Sequence, residues 1–138
     1  MLEKAERGSN AGWREIGGKR MYFRSKWEAQ YARFLQWSKE QGHILDWEHE
    51  PKTFWFENIK RGVRSYLPDF RVWHLNANTA PPSEDHHWVE VKGWLDPKSA
   101  TKLKRMAKYY PDEKIFVIDK TWFAKNNHMM RNLIKDWE

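Results

Sequence analysis

The chain contains no cysteine. That excludes disulfides and cysteine-based zinc sites and permits a reducing compartment. It also lacks any apolar run approaching the roughly 18 residues of a membrane span. The opening stretch, MLEKAERGSN, has no apolar h-region, so no secretory signal peptide is expected. These absences make the cytoplasm the expected location, and no internal repeat is visible. Acid is in deficit: 19 Asp and Glu stand against 25 Lys and Arg, for a net charge of +6. That balance favours a polyanionic partner, nucleic acid first and an anionic membrane surface second. A soluble protein that is merely basic is the plainer alternative.

Tryptophan, by contrast, is abundant, with ten among 138 residues. A soluble surface rarely carries so many, so most are expected in a core or against a flat partner. The length fits one domain with its own core, and the 40% apolar share is ordinary for a globular chain.

Residues 1–20 are polar and interrupted by GSNAG and GG, which reads as a flexible basic arm with at most a short helical piece. Residues 21–138 are expected to form a single domain. RSKWEAQYARFLQWSKEQG predicts a helix, with Ser25 as N-cap and Gly42 as the stop. Trp27, Tyr31, Phe34 and Ser38 share one helical spacing, Ala32 and Leu35 another. ILDWEHE alternates like a strand, and TFWFE and VRSY flank the turn NIKRG as a hairpin. LPDFRVWHL predicts a strand with Phe70 and Val72 on one face and Asp69, Arg71 and Trp73 on the other. NANTAPPSED reads as a loop and HHWVEVKGW as a strand. Asp96 and Pro97 begin a second helix, DPKSATKLKRMAKYYP. KIFVID reads as a buried strand, and a last helix is expected over much of 121–137. The order implies an α/β fold, a mixed central sheet flanked by helices. The strand–helix–strand unit at about 87–119 suits a parallel crossover.

One strand holds an anomaly. In WVEVKG, Val89 and Val91 take one face, while Glu90 and Lys92 share the other. Alone, Glu-x-Lys reads as a surface ion pair worth about 0–1 kcal/mol. Asp69, held just after Pro68 at the start of another strand, changes that reading. If the two strands are neighbours, Asp69, Glu90 and Lys92 converge. Two carboxylates attract a hard cation such as Mg²⁺, which polarises phosphoryl oxygens. A nearby lysine stabilises the developing charge.

PDF at 68–70 followed by EVK at 90–92 resembles the PD-(D/E)xK nuclease superfamily. The order of RSKWE helix, DWEHE, PDF, EVKG and lysine-rich helix is similar to the phage-type endonuclease I (Holliday-junction resolvase) branch and to related small phage nucleases. The resemblance covers about residues 22–119. It implies a restriction-endonuclease-like core, Mg²⁺ or Mn²⁺ dependence and DNA cleavage, with a phage or mobile-element origin. By the same resemblance, Asp69 and Glu90 would bind metal with the Val91 carbonyl. Lys92 would be the catalytic lysine, and Glu28 would complete the acidic cluster. Glu28 has a second reading, because Ser25 to Glu28 also matches a capping box. Asp46, Glu48 and Glu50 are all candidates for one further acid.

Lys98, Lys102 and Arg105 form a basic stripe on the second helix, placed for phosphates. Arg61 and Arg64 make another patch at the hairpin. His86 and His87, being adjacent in a strand, point to opposite faces and make a poor zinc chelate; His128 reads as surface. Trp94, beside the proposed site, is flat enough to stack on an unpaired base. Gly93 is expected to let chain or DNA backbone pass close by. The expectation is therefore a metal-dependent DNA endonuclease that prefers branched DNA, acts as a homodimer if it resolves junctions, and has no membrane partner. The rivals are a sequence-specific endonuclease of the restriction or homing type and an inert nucleic-acid-binding module.

Overall fold

The computed structural model describes residues 10–75 and 85–138. The loop expected at NANTAPPSED falls largely outside them, as do the first nine residues of the expected arm. Strands β1 (Gly12–Ile16) and β2 (Lys19–Phe23) open the described chain as an antiparallel hairpin. This corrects the expectation of a loose arm for residues 12–20. Gly17 and Gly18 sit at φ +62° and +79°, the left-handed pair that a two-residue hairpin turn requires. The GG read as a breaker is the turn itself.

Helix α1 (Lys26–Glu40) begins where the Ser25 hydroxyl accepts the Glu28 N–H at 3.1 Å. It ends where Gly42, at φ +78°, donates back to the Lys39 carbonyl at 3.0 Å. Strand β3 (Ile44–His49) follows, then the short hairpin of β4 (Phe54–Trp55) and β5 (Ser65–Tyr66). Next come β6 (Phe70–His74), β7 (His86–Val91), helix α2 (Pro97–Tyr109), β8 (Ile115–Ile118) and helix α3 (Lys120–Leu133). The central sheet has the order β3-β6-β7-β8. Its first three strands run antiparallel, and β7 pairs with β8 in parallel across the α2 connection. The fold is thus mixed α/β with helices flanking a mixed sheet.

Both faces of the centre of this sheet are covered. On one, Trp47, Phe70, Val72, Val89 and Val91 meet Tyr31, Ala32 and Leu35 of α1, Ile16 and Phe23 of the first hairpin, and Phe123 of α3. Trp27 stacks on Phe123 with ring centres 4.7 Å apart, so the helical spacing read from the sequence is the seam between α1 and α3. On the other face, Trp88 packs with Phe54, Phe56, Tyr66 and Met106. Trp88 is completely buried, and its replacement by alanine would cost about 3–5 kcal/mol. Because β7 is central and covered on both sides, Glu90 does not lie on an open outer face. The apolar run of β8 is the edge strand instead: Phe116 is 52% and Val117 39% exposed. Its expected burial is corrected, since among the described residues only β7 pairs with it.

Candidate functional site

The site lies where the start of β6 meets the end of β7. Pro68 is buried and sets the chain direction into β6, so Asp69 arrives just before the first ladder residue. The Val91 N–H donates to its Oδ2 at 2.7 Å, tying the entry of β6 to the exit of β7. One residue back on β7, the Tyr66 hydroxyl donates to Glu90 Oε1 at 2.8 Å. Asp69 is 4% and Glu90 9% exposed. Among the described residues each buried carboxylate therefore holds one protein donor, fewer than the two or three that favour a buried anion.

The electrostatics follow first from that burial. Burial pushes the Asp69 carboxyl well above its ordinary range. The negative charges of Glu90, Glu28 and Glu50 push it further, against the opposing Val91 N–H. Burial also raises Glu90, opposed by the Tyr66 hydroxyl and the cationic Lys92 and Lys102. Tyr66 is held strongly protonated by burial and by the Glu90 charge beside it.

Glu28 joins this cluster. Its backbone serves the Ser25 cap, but its side chain is buried, with Oε2 3.9 Å from His49 Nε2. That oxygen has no hydrogen-bond partner among the described residues. The serine half of the capping box is present while the carboxylate lies against the acidic group.

The three acids of the β3 region separate. Asp46 pairs with Lys39 at 3.0 Å. Glu48 accepts from the Trp73 indole at 2.8 Å and faces Arg71. Glu50 adopts φ +48° and so leaves the two-residue alternation that would keep it on the face of Asp46 and Glu48. Its N–H donates to the Asp69 carbonyl at 2.9 Å and its carboxylate acts on Asp69. A non-glycine residue in this conformation carries backbone strain of about 1–3 kcal/mol, here beside buried acids. Glu50 is thus the β3-region acid that reaches the site.

Lys92 lies one residue past β7, its N–H still donating to the Ile118 carbonyl at 3.0 Å. Its ammonium is 3.9 Å from Asp96. The close approach at Gly93 is made by this chain: a Cβ there would lie 3.2 Å from the Trp27 ring. Along α2, Lys98 is exposed, while Lys102 and Arg105 are half-buried. Arg105 carries a buried Nη1 without a partner among the described residues. Arg61 and Arg64 are exposed in the β4–β5 loop. That hairpin is bound to the end of α2 by hydroxyl bonds from Tyr109 to the Glu57 carbonyl and from Tyr110 to the Trp55 carbonyl. Both basic patches therefore belong to the same side of the sheet.

Sequence reasoning missed His49 and Tyr66. His49 lies 3.8–3.9 Å from Glu50 and Glu28, and its buried Nε2 has no hydrogen-bond partner among the described residues. Nothing in WEHEP or SYLPD distinguishes either residue from a packing position; only strand pairing brings them to the acids. The oxygen donors Asp69, Glu90 and the orphaned Glu28 Oε2 match the chemistry of a hard divalent cation. Among the described residues no three histidine or acidic groups are already gathered around one metal position. The histidines at the far strand ends do diverge: His86 goes to Glu113 and His87 to His74. Comparison with family models, curated proteins and solved structures returns no match for this chain.

Proposed function

We propose that this chain is a divalent-metal-dependent DNA endonuclease of the PD-(D/E)xK type. The observation that carries the reading is the pair of buried, mutually repelling carboxylates Asp69 and Glu90, left short of protein donors and followed at once by Lys92. Such a pair is costly to a fold that has no use for a cation. Asp69 and Glu90, with the Val91 carbonyl, would hold Mg²⁺ or Mn²⁺, and Glu28 and Glu50 would add negative charge around it. The cation, when bound, would polarise the phosphoryl group and favour deprotonation of water. Lys92 would balance the charge gathering on the phosphate oxygens. Tyr66 would fix the Glu90 rotamer through its hydroxyl, and the Val91 N–H would do the same for Asp69. Arg61, Arg64, Lys98, Lys102 and Arg105 would bind the DNA backbone. Branched DNA is the preferred substrate in this reading, cut by a two-fold dimer.

Cleavage of labelled duplex, single-stranded, flap and four-way-junction DNA, with Mg²⁺, Mn²⁺ or EDTA, tests it. The expected result is endonucleolytic cutting with either metal, none with EDTA, and a preference for the junction or flap. Binding without cutting under every condition would leave a nucleic-acid-binding module. Cutting of one duplex sequence alone would point to a restriction or homing type.

A further inference from the structure

The bend between β7 and α2 presents two apolar side chains to solvent beside Lys92. Trp94 is 71% exposed and Leu95 42%. The bend is fixed at both ends. On one side Lys92 remains hydrogen-bonded to β8, and Gly93 lies against the Trp27 ring. On the other, the Asp96 side chain accepts the Ser99 N–H at 2.7 Å, and its carbonyl accepts the Ala100 N–H at 2.9 Å. The apex therefore holds an indole outward on a braced turn, which lowers the ordering cost of binding through it. Trp13, also exposed, differs: it is covered by Arg20 and edged by Tyr22 within its own hairpin.

We infer that Trp94, with Leu95 beside it, is a stacking platform for an unpaired nucleobase next to the cleavage site, and that it sets a preference for DNA with single-stranded character. The charge pattern selects this occupant. In the chain Lys92 stands two residues before this flat apolar ring and Lys98 four after it, with the Asp96 carboxylate, 3.9 Å from the Lys92 ammonium, between them. Nucleic acid offers that alternation of phosphate and π-face. Paired bases are stacked on one another and present no free face, so the platform discriminates by pairing state. Leu95 supplies an apolar wedge of the kind that holds a base step open. The inference rests on the DNA reading above but not on catalysis.

The test is therefore made in EDTA, where binding is read without cutting. Fluorescence anisotropy is measured on a duplex, on the same duplex with a central loop of unpaired thymines, and on oligo-dT. Trp94→Ala is expected to weaken looped and single-stranded binding about tenfold, the effect of removing one base stack. Duplex affinity should stay within about twofold. Trp94→Phe should restore most of the loss, and 2-aminopurine placed in the loop should be quenched by the wild type and not by Trp94→Ala. An equal loss on duplex and looped DNA, or no loss on either, overturns the platform. Failure of the wild type to bind any DNA overturns both this inference and the proposed function. Preferential binding that depends on Trp94, without cutting when Mg²⁺ is restored, overturns the nuclease reading alone.

Discussion

Strands β6 and β7 lie side by side and carry ionisable clusters at both ends, yet the two ends handle charge in opposite ways. At the far end, His74 lies between Asp85 at 2.9 Å and His87 at 2.6 Å. His86 meets Glu113 at 3.1 Å, and that carboxylate also accepts the buried Trp88 indole N–H at 2.6 Å. At the near end, Asp69 and Glu90 are more deeply buried, repel one another and, among the described residues, have one donor each. The same ladder thus supports an end where polar groups are mostly paired and an end where negative charge is accumulated. A fold under selection for stability alone would have no reason to keep the second.

The sharpest way to break this contrast is Asp69→Asn. The amide keeps an oxygen for the Val91 N–H and removes the charge, so metal-dependent cleavage should fall about a thousandfold. Glu90→Gln and Lys92→Ala should lose comparable activity with DNA binding retained. The stability change should run the other way. The folded pKa of Asp69 is raised above its ordinary 3.8, and that of Glu90 above 4.5. Their relative stabilisation is complete below those values and is lost as pH rises through the raised folded pKa values. Metal-free wild type should therefore lose stability as pH rises from about 4, and Asp69→Asn should melt higher than wild type at pH 8. His87 has the opposite sign. Burial, then the neighbouring His74 and His86, lower it from 6.5 to about 4. Its contribution is present above pH 6.5 and is lost as pH falls through about 4. Calorimetry across pH 4–9 reads both, and an Asp69→Asn variant that melts lower at pH 8 would erase the difference between the two ends.

Glu113→Ala probes the paired end. It strands the Trp88 indole N–H and frees His86, at a cost of about 1–3 kcal/mol. Cleavage per folded molecule should not change. A large activity loss at full stability would bring the histidine end into function and undo the division.

Glu28 has its backbone in the helix cap and its side chain beside the buried acids, and a pair of variants separates the two roles proposed for it. Ser25→Ala removes the observed cap and should cost about 1 kcal/mol, with cleavage nearly intact. Glu28→Gln should leave the melting temperature unchanged or raised and reduce cleavage at least about tenfold. The reverse pattern would assign Glu28 to the helix end.

The alternation of WVEVKG and the helical spacing of α1 are legible in the sequence because each is local and periodic. Pairing of β6 with β7, on which the convergence of Asp69 and Glu90 depends, is inferable only from the assumption that the strands are neighbours. Glu50 is illegible in principle: its left-handed φ breaks the two-residue period that sequence reasoning uses. The β1–β2 hairpin escapes a reading by composition, because its polar residues outweigh the turn chemistry of GG between alternating residues. The run KIFVID misleads for the opposite reason. Apolar composition implies burial only if something covers both faces, and an edge position is decided by topology.

The smallest predicted effects belong to the basic side chains, and they ask whether the cation-rich side of the sheet is matched to the acidic end. Lys102 sits close enough to Glu90 for its charge to favour the ionised carboxylate, whereas Lys98 is exposed to solvent. Taking one cation away from a DNA phosphate should reduce the slope of log affinity against log salt by about 0.9 for a duplex. Lys102→Ala and Arg105→Ala should each weaken binding a few-fold and flatten the slope by up to that amount. Arg61→Ala with Arg64→Ala should do the same from the hairpin. Counterion release at separate phosphates is independent, so the slope changes should add when α2 and hairpin variants are combined. An unchanged slope in the α2 variants would remove that helix from the DNA path. Non-additive slopes would mean that the two patches compete for one phosphate rather than follow one backbone.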